Sequence, residues 1–433
     1  MPPDLAERVS QLKLSDVIDI ALRNNTATSA AWAEARSAAA SYGAAKGQYY
    51  PTIDVGGTAT TIHRTVAAAG QQAVKQQFYG PTLTLSWLLF DFGGRSGSIG
   101  EAREALLAAD WTHNATLQTV VLAVEQAYFL YLGTKALLNA QQTTLTEART
   151  NLEAAEQRHR VGLATIADVL QAKTALSQAQ LALQSTQGDL QTTRGALALS
   201  MGLPANVPYD IEAQPDSAAP LSVVEEVDTL IARAVRERPD LAAQRAQVEQ
   251  ARARVSVARS QALPSLSVGG NAGQTYFITP SGAPSGNSYT ATLTFSVPLF
   301  SGWSQIYNVQ AASAAADAAA RRAEGFEQQV VYQVFNSYYA LRTATQQVQT
   351  SRDLLASATE SEQVALGRYK AGAGSVLDLL TAQATLAGAR AQAIQVRFAW
   401  NTALAQLAHD VGFLGLDGTS PLKMRADTTG AGR

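Results

Sequence analysis

The sequence predicts a mainly α-helical protein that also carries the strands of a membrane β-barrel. Three features support this prediction: a tandem duplication, long helical patterns without proline, and two strand hairpins, of which the second is free of charge. The chain has 433 residues, a net charge of −2 and no cysteine. This charge provides no overall basic surface for nucleic acid, and the absence of cysteine excludes disulfides and thiolate metal sites.

The duplication has a spacing of about 210 residues. Because its matches keep the same order in both copies, it is a true repeat, and repeats define an architecture before any single element does. The matching segments are "QYYPTIDVGG" (48–57) with "QALPSLSVGG" (261–270), "LTLSWLLFDFGG" (83–94) with "LTFSVPLFSGW" (293–303), and "VGLATIADVLQAKTAL" (161–176) with "AGAGSVLDLLTAQATL" (371–386).

In each copy, the residue pattern predicts a helix, a strand, a loop, a second strand, a very long helix, a tight turn and a last helix. The helical pattern of residues 98–160 contains no proline and would extend on the order of 90 Å, so it needs packing partners along its whole length. The predicted helices are 14–47, 98–160, a continuation to 199, 222–262, 304–370 and 375–411, and the predicted strands are 52–62, 81–90, 264–278 and 288–299.

These elements predict a division of the chain into two repeats with a proline-containing linker between them. The last residues are polar and are expected to be disordered. The predicted parts are an N-terminal segment (1–13), the first repeat (14–200), the linker (201–221), the second repeat (222–412) and the tail (413–433), with barrel parts at 52–90 and 264–300.

The strands alternate between apolar residues and small hydroxyl residues, most strictly in "SYTATLTFSVPLF" (288–300). No Asp, Glu, Lys or Arg occurs between Ser260 and Ala316, and aromatic residues stand near the strand ends. Short strands with one apolar face and flanking aromatics are typical of a transmembrane barrel. The residues expected to face lipid are Leu83, Leu85, Trp87, Leu89, Leu266, Val268, Tyr289, Leu293, Phe295 and Val297.

Four strands cannot close a barrel, since roughly eight are the smallest useful number. Unpaired backbone groups in lipid are too costly, so other subunits must pair the edges. Two copies would give eight strands and three copies twelve, and the strand pattern alone leaves both open. The apolar sheet of a soluble domain is the other interpretation of these strands.

The start of the chain shows no basic segment followed by an apolar one, so we see no signal peptide. The chain is therefore either cytoplasmic or given in a mature or trimmed form. An enzyme is not expected and no cofactor is predicted. The four histidines are scattered without metal-ligand spacing, and no glycine-rich phosphate loop precedes a helix.

Taken in order and twice over, these motifs resemble the TolC-like outer-membrane efflux and secretion channels over about residues 12–412. The resemblance implies an outer-membrane homotrimer with a twelve-stranded barrel and a helical tunnel through the periplasm. It also implies partners: outer-membrane lipid, a periplasmic adaptor protein and an inner-membrane pump. The function implied is a passive exit duct of a tripartite efflux pump or type I secretion system, opened at its periplasmic end.

The resemblance gives the two helical turns a role as docking tips for the adaptor, and a glycine there also suits a helix end. The tip residues are Gly162, Leu163, Thr165, Gly372, Ala373 and Ser375.

The resemblance also implies a gate. Asp378 matches an aspartate that lines the constriction, and Thr381 stands where a second acidic ring is common. Asp168 and Tyr369 match a polar pair that closes the mouth, and Arg397 matches another gating position with Asn151 as its candidate partner. Helix stabilisation is the simpler role for both aspartates, which lie near helix N-termini.

The alternative function is a periplasmic adaptor or coiled-coil scaffold with soluble β-hairpins. An adaptor would carry one helical hairpin beside compact, charged β-domains, and it would purify as a monomer without detergent. The duplicated hairpins favour the channel.

Overall fold

The computed structural model describes residues 12–65, 73–212, 221–223, 225–278, 284–413 and 424–426. Most of the predicted N-terminal segment, linker residues 213–220 and much of the predicted tail lie outside these residues. Among the described residues, no helix is both long and apolar enough to cross a membrane.

The chain is mainly helical with four long antiparallel strands, as predicted. The helices are α1 (Leu14–Asn24), α2 (Thr26–Lys46), α3 (Gly94–Arg160), α4 (Ile166–Ser200), α5 (Val227–Glu237), α6 (Pro239–Ser260), α7 (Ser304–Lys370) and α8 (Val376–Val411). The strands are β1 (Thr52–Thr65), β2 (Ala73–Phe90), β3 (Leu221–Val223), β4 (Ser265–Ile278), β5 (Ser285–Ser296) and β6 (Met424–Ala426).

The two longest helices, α3 and α7, each contain 67 residues. They occupy matching places in the two repeats. Their first residues, Gly94 and Ser304, are 210 positions apart, and so are their last residues, Arg160 and Lys370. The prediction of two equivalent long helices is therefore confirmed in the fold.

Two predicted helices are each broken once. The helix expected over 14–47 stops at Asn25, whose side-chain oxygen accepts a hydrogen bond from the backbone N–H of Ala27 (2.8 Å) and so starts α2. The helix expected over 222–262 starts at Val227 and breaks at Arg238, since Pro239 provides no N–H to continue it and opens the next helix.

The chain divides into two compact units. One comprises residues 1–32, 112–241 and 326–433, and the other residues 33–111 and 242–325. The first unit holds the main apolar core. Its largest fully buried side chains include Ile18, Tyr128, Leu197, Met201, Ile211, Leu230, Leu341 and Leu407.

The linker is tied to the helices of the first unit in its described part. Lys135 of α3 forms an ion pair with Asp210 (2.7 Å), and Ile211 forms a parallel bridge with Leu12. Tyr209 donates a hydrogen bond to the backbone oxygen of Arg194. Burial and the neighbouring Asp210 raise the pKa of Tyr131, which contacts the same carboxylate, to about 12.

The predicted disorder of the tail is wrong for residues 424–426. Met424–Ala426 pairs antiparallel with Leu221–Val223. Backbone pairing of this kind depends little on side chains, so the polar composition of the tail gave no sign of it.

The second unit contains one sheet with the strand order β1-β2-β4-β5, all neighbours antiparallel. In the same unit, helices α3 and α6 pack closely against each other at Gly97. A Cβ atom added to Gly97 would lie 3.0 Å from a methyl group of Val257. Arg254 and Glu101 form an ion pair (2.5 Å) between the same two helices. The helical chain segments join one end of the sheet, and Thr65, Ala73, Ile278 and Ser285 lie at the other.

Candidate functional site

The strand register places the apolar residues of all four strands on one continuous face. Across the sheet, Leu83 lies opposite Val55 on one side and Ala272 on the other, and Val268 lies opposite Trp87 and Leu293. The side chains on this face are largely exposed, and Tyr289 reaches 89% exposure. An exposed apolar surface of this size marks an interaction or membrane surface. We name it the outward face; it comprises Ile53, Val55, Ala59, Tyr79, Leu83, Leu85, Trp87, Phe90, Leu266, Val268, Ala272, Tyr289, Ala291, Leu293 and Phe295.

The opposite face of the sheet is lined by small polar side chains. Thr84 lies opposite Asp54 and Asn271, and its hydroxyl donates a hydrogen bond to the Asn271 side chain (2.9 Å). Thr290 and Thr292 continue this face on β5. One face is therefore apolar and the other hydrophilic, as the alternating sequence predicts.

Two of the ten predicted outward residues deviate from the strand pattern. The register shifts between Leu88 and Phe90, so Phe90 lies opposite Leu266 and Leu89 falls within the irregularity. A bulge inserts one residue and reverses the alternation beyond it, which a strict period of two cannot foresee. Val297 lies one residue beyond the end of β5.

An arginine clamp at the exit of β2 was not identified from the sequence. The guanidinium of Arg95 donates hydrogen bonds to the backbone oxygens of Leu88 (2.5 Å) and Leu89 (2.8 Å), and its backbone N–H donates to Asp91 (2.6 Å). These contacts satisfy strand-end carbonyls where β2 turns into α3. The position 210 residues later is Gln305, so the second repeat lacks this arginine.

The two helical turns have the same backbone structure. Gly162 and Gly372 adopt positive φ angles of 79° and 75°, in the left-handed region that favours glycine. Leu163 donates its backbone N–H to the oxygen of Arg158 (2.8 Å), and Ala373 does the same to Arg368 (2.9 Å). Both helices therefore end in Schellman motifs, and their glycines form the turns. This is the helix-end role predicted for them from the sequence, beside adaptor docking.

The two turns also start their next helices in the same way. Thr165 and Asp168 form a reciprocal capping box at the start of α4, and Ser375 and Asp378 form one at the start of α8. The Asp168 carboxylate accepts from the Thr165 backbone N–H at 2.8 Å. Both aspartates therefore stabilise helix N-termini, which is the simpler role considered for them.

The side chains of the two turns differ although the backbones match. In the turn at 161–165, which we name the first tip, Val161 and Leu163 are 70% and 78% exposed. In the turn at 371–375, the second tip, the matching residues are Ala371 and Ala373. The first tip thus presents bulky aliphatic side chains where the second presents small ones.

A small apolar cluster lies beneath the second tip. Tyr369, Val376 and Leu379 are buried together, and Arg158 covers the Tyr369 ring at 4.2 Å from its centroid. Arg158 also donates a hydrogen bond to the Tyr369 backbone oxygen (2.9 Å). A direct link between Tyr369 and Asp168 stays a prediction.

The remaining predicted gate residues lie at different levels of α8. Asp378 and Thr381 are exposed, and the Asn151 amide donates a hydrogen bond to Gln383. Arg397 lies fourteen residues beyond Gln383, about 21 Å along the helix, so the predicted pairing of Asn151 with Arg397 is wrong. Partial burial lowers the pKa of Arg397 below its usual value.

The described residues contain no group of His, Asp or Glu side chains placed to hold a metal ion. The most perturbed carboxyl is Glu125 in α3, whose pKa burial raises to about 7. It lies in the apolar core of the first unit, away from the tips.

Comparison with solved structures shows the same fold in outer-membrane channels. The outer-membrane protein VceC of Vibrio cholerae matches with a TM-score of 0.81 and 19% identity over 94% of this chain and 97% of that one. The open state of the MtrE channel of Neisseria gonorrhoeae matches with a TM-score of 0.79 and 21% identity over 94% and 90%.

Sequence comparison finds relatives along nearly the whole chain. Protein CyaE of Bordetella pertussis is 29% identical over 425 residues, 97% of this chain and 88% of the relative. The outer membrane protein OprJ of Pseudomonas aeruginosa is 25% identical over 379 residues, 86% of this chain and 78% of the relative.

A family description, outer membrane efflux protein, matches residues 17–203 and 230–412. The two matched stretches contain the two tips and the two hairpins described above. Proteins of this family are outer-membrane channels and not enzymes, which agrees with the exposed apolar face of the sheet. The chain belongs to the outer membrane efflux protein family, and the resemblance to TolC-like channels is thereby confirmed.

Proposed function

We propose that this protein is the passive exit duct of a tripartite efflux pump or type I secretion system, working as a homotrimer. The observation that carries the proposal is the outward face, where apolar side chains of four adjacent strands are exposed together. Lipid is the environment that such a face fits, because the hydrocarbon interior accepts apolar side chains and rejects charge.

The edges of the sheet support an oligomer. Strands β1 and β5 each have one neighbour in the four-stranded sheet, so no described residue of the chain pairs with their outer backbone groups. In a membrane each unpaired group costs several kcal/mol, and edge-to-edge pairing with sister subunits removes that cost. Three copies close a twelve-stranded barrel, which is the number that the family resemblance implies.

The tips are the proposed docking points for a periplasmic adaptor, which in turn recruits an inner-membrane pump. The relative TtgC of Pseudomonas putida is called a probable efflux pump outer membrane protein, which supports a pump partner. The exposed aliphatic side chains of the first tip provide apolar surface for such contact, and the left-handed glycines keep both turns short.

The proposed gate lies at the second tip. In a trimer, the exposed carboxylate of Asp378 becomes a ring of three negative charges that binds cations and narrows conduction. Thr381 provides no second acidic ring, so the expected cation block is weak. Asp378→Ala should raise single-channel conductance and reduce block by divalent cations in planar bilayers, and unchanged traces would remove Asp378 from the gate.

The experiment that tests the proposed function compares two neighbouring residues of β5. Leu293→Arg places a charge on the outward face, where it costs about 2–4 kcal/mol at the membrane midplane. Thr292→Arg is the matched control, since Thr292 lies on the hydrophilic face. We expect Leu293→Arg to abolish trimers in outer-membrane fractions and Thr292→Arg to retain them. Normal trimers with Leu293→Arg would contradict lipid contact at this face.

A further inference from the structure

The outward face changes character along the hairpin of β1 and β2. From the helical end of the sheet it is apolar through the pairs Ile53–Leu85, Val55–Leu83 and Ala59–Tyr79. The next pair on this face is Thr61 with Gln77, whose side chains are hydrogen-bonded (3.3 Å). The pair after that is His63 with Lys75, and both side chains are exposed.

Lys75 is the one formally charged side chain on the outward face among the described residues of the four strands. Asp54, the charged residue near the other end of β1, belongs to the opposite face because it pairs with Thr84. His63 lies directly across from Lys75, where the Cβ atoms of paired residues are about 5 Å apart. The face therefore carries a basic pair close to the end of the hairpin strands, followed only by Thr65 and Ala73, and neither basic residue forms an ion pair within the described chain.

The distance of this pair from the apolar band decides which layer of the membrane the two side chains contact. The ten-residue step from Leu266 to Tyr276 on β4 spans about 33 Å along the strand, or about 25 Å across the membrane at a tilt near 40°. Tyr276 stacks with Tyr79 at 5.3 Å between ring centroids, which is an aromatic girdle at the end of the band. This height equals that of the apolar band of outer-membrane barrels.

The basic pair lies just beyond the girdle. Lys75 is four residues past Tyr79, about 13 Å along the strand and about 10 Å in height. This is the level of lipid headgroups at the end of the sheet where β1 stops and β2 starts. A long lysine side chain can also extend toward that level from the apolar edge.

We infer that His63 and Lys75 form a binding site for a phosphate group of an outer-leaflet lipid, one site in each subunit. The inference rests on the proposed function, since it needs the outward face to contact lipid. Lysine supplies a compact charge and three donors, and the imidazole supplies a further donor. The adjacent Thr61–Gln77 pair supplies polar surface for a sugar headgroup. The ligand is therefore a phosphorylated saccharide lipid of the outer leaflet.

The test uses the full chain as a detergent-solubilised oligomer, with lipid A as the probe and native mass spectrometry as the readout. We expect the protein to retain diphosphorylated lipid A, and we expect Lys75→Gln to weaken retention about fivefold per site. Lys75→Glu should weaken it further, and His63→Gln should reduce it less than Lys75→Gln. Lys173→Gln, which removes an exposed charge from α4, is the matched control and should leave retention unchanged.

A second comparison uses only the unaltered protein and varies the lipid instead of the protein. The unaltered protein should retain dephosphorylated lipid A several-fold less than the diphosphorylated form, and millimolar inorganic phosphate should not displace the lipid. Equal retention of both lipids would overturn the inference, and displacement by inorganic phosphate would show a site for free phosphate instead. Retention that Lys75→Gln leaves intact would also overturn it. Failure of the unaltered protein to form oligomers that insert into vesicles would refute the proposed function itself.

Discussion

The first and second tips share one backbone but place their apolar side chains differently. At the second tip, Val376 and Leu379 are buried under the ring of Tyr369. At the first tip, the residue that matches Tyr369 is His159, and Ile166, which matches Val376, is 58% exposed. The Nδ1 atom of His159 is hydrogen-bonded to the backbone oxygen of Ala164 (2.9 Å), and the ring covers no apolar cluster of the described residues.

Under the proposed function, this difference assigns different roles to the two copies of one turn. Schellman ends and capping boxes fix the backbone of both tips, so the side chains are free to diverge. The ring of Tyr369 gives the second tip a buried apolar cluster, which Arg158 covers from the helix before the first tip, and this structure suits the proposed gate. The exposed Val161, Leu163 and Ile166 leave the first tip with apolar surface for a partner.

The largest expected effect is on the stability of the second tip. Tyr369→Ala removes the cover of a buried cluster and should cost about 3–5 kcal/mol. The matched variant His159→Ala should change stability by less than about 0.5 kcal/mol, since that ring is exposed. Hydrogen exchange of backbone amides in residues 366–380 and 156–170 would measure both. Equal loss of protection at the two tips would break the comparison.

The next effect concerns docking at the first tip. Leu163→Ala removes most of an aliphatic side chain that a partner would bury, so the affinity for the proposed periplasmic adaptor should fall about tenfold. Leu377→Ala, at an exposed leucine in the first turn of α8 beside the second tip, is the control and should have a smaller effect. Surface plasmon resonance on reconstituted channel would compare them. A larger loss with Leu377→Ala would reverse the assignment of roles.

The smallest effect should be the same at both tips. Gly162→Ala and Gly372→Ala each force a Cβ atom into left-handed backbone, at a cost of about 1 kcal/mol. No neighbouring atom lies within 4 Å of the added Cβ at either position, so the cost is conformational alone. Chemical denaturation of the two variants should give equal shifts. Unequal shifts would mean that the two backbones are not equivalent.

Patterns with a period predicted most of the fold. The alternation in 288–300 indicated the two faces of the sheet, and the order of the motifs indicated the duplication. The very long helices followed from the absence of proline. The bulge beside Leu89 and the break at Asn25 were missed, because each depends on one residue's local hydrogen bonds and leaves no periodic signal.

The contacts of the candidate gate residues were harder to predict because they join helices that are distant in sequence. Asn151 pairs with Gln383, and spacing along either helix does not reveal that neighbour. The Arg95 clamp was hidden for a related reason. Its acceptors are backbone oxygens, which every residue carries, so the sequence shows only the arginine.

Single-cysteine accessibility along β5 tests most directly whether the outward face contacts lipid. The chain has no cysteine of its own, so spin labels can be placed one at a time at residues 289–295. In reconstituted protein, labels at 289, 291, 293 and 295 should collide with oxygen dissolved in the bilayer, and labels at 290, 292 and 294 with a water-soluble nickel reagent. A uniform response along the strand, or access of the nickel reagent to Leu293 and Phe295, would contradict the account.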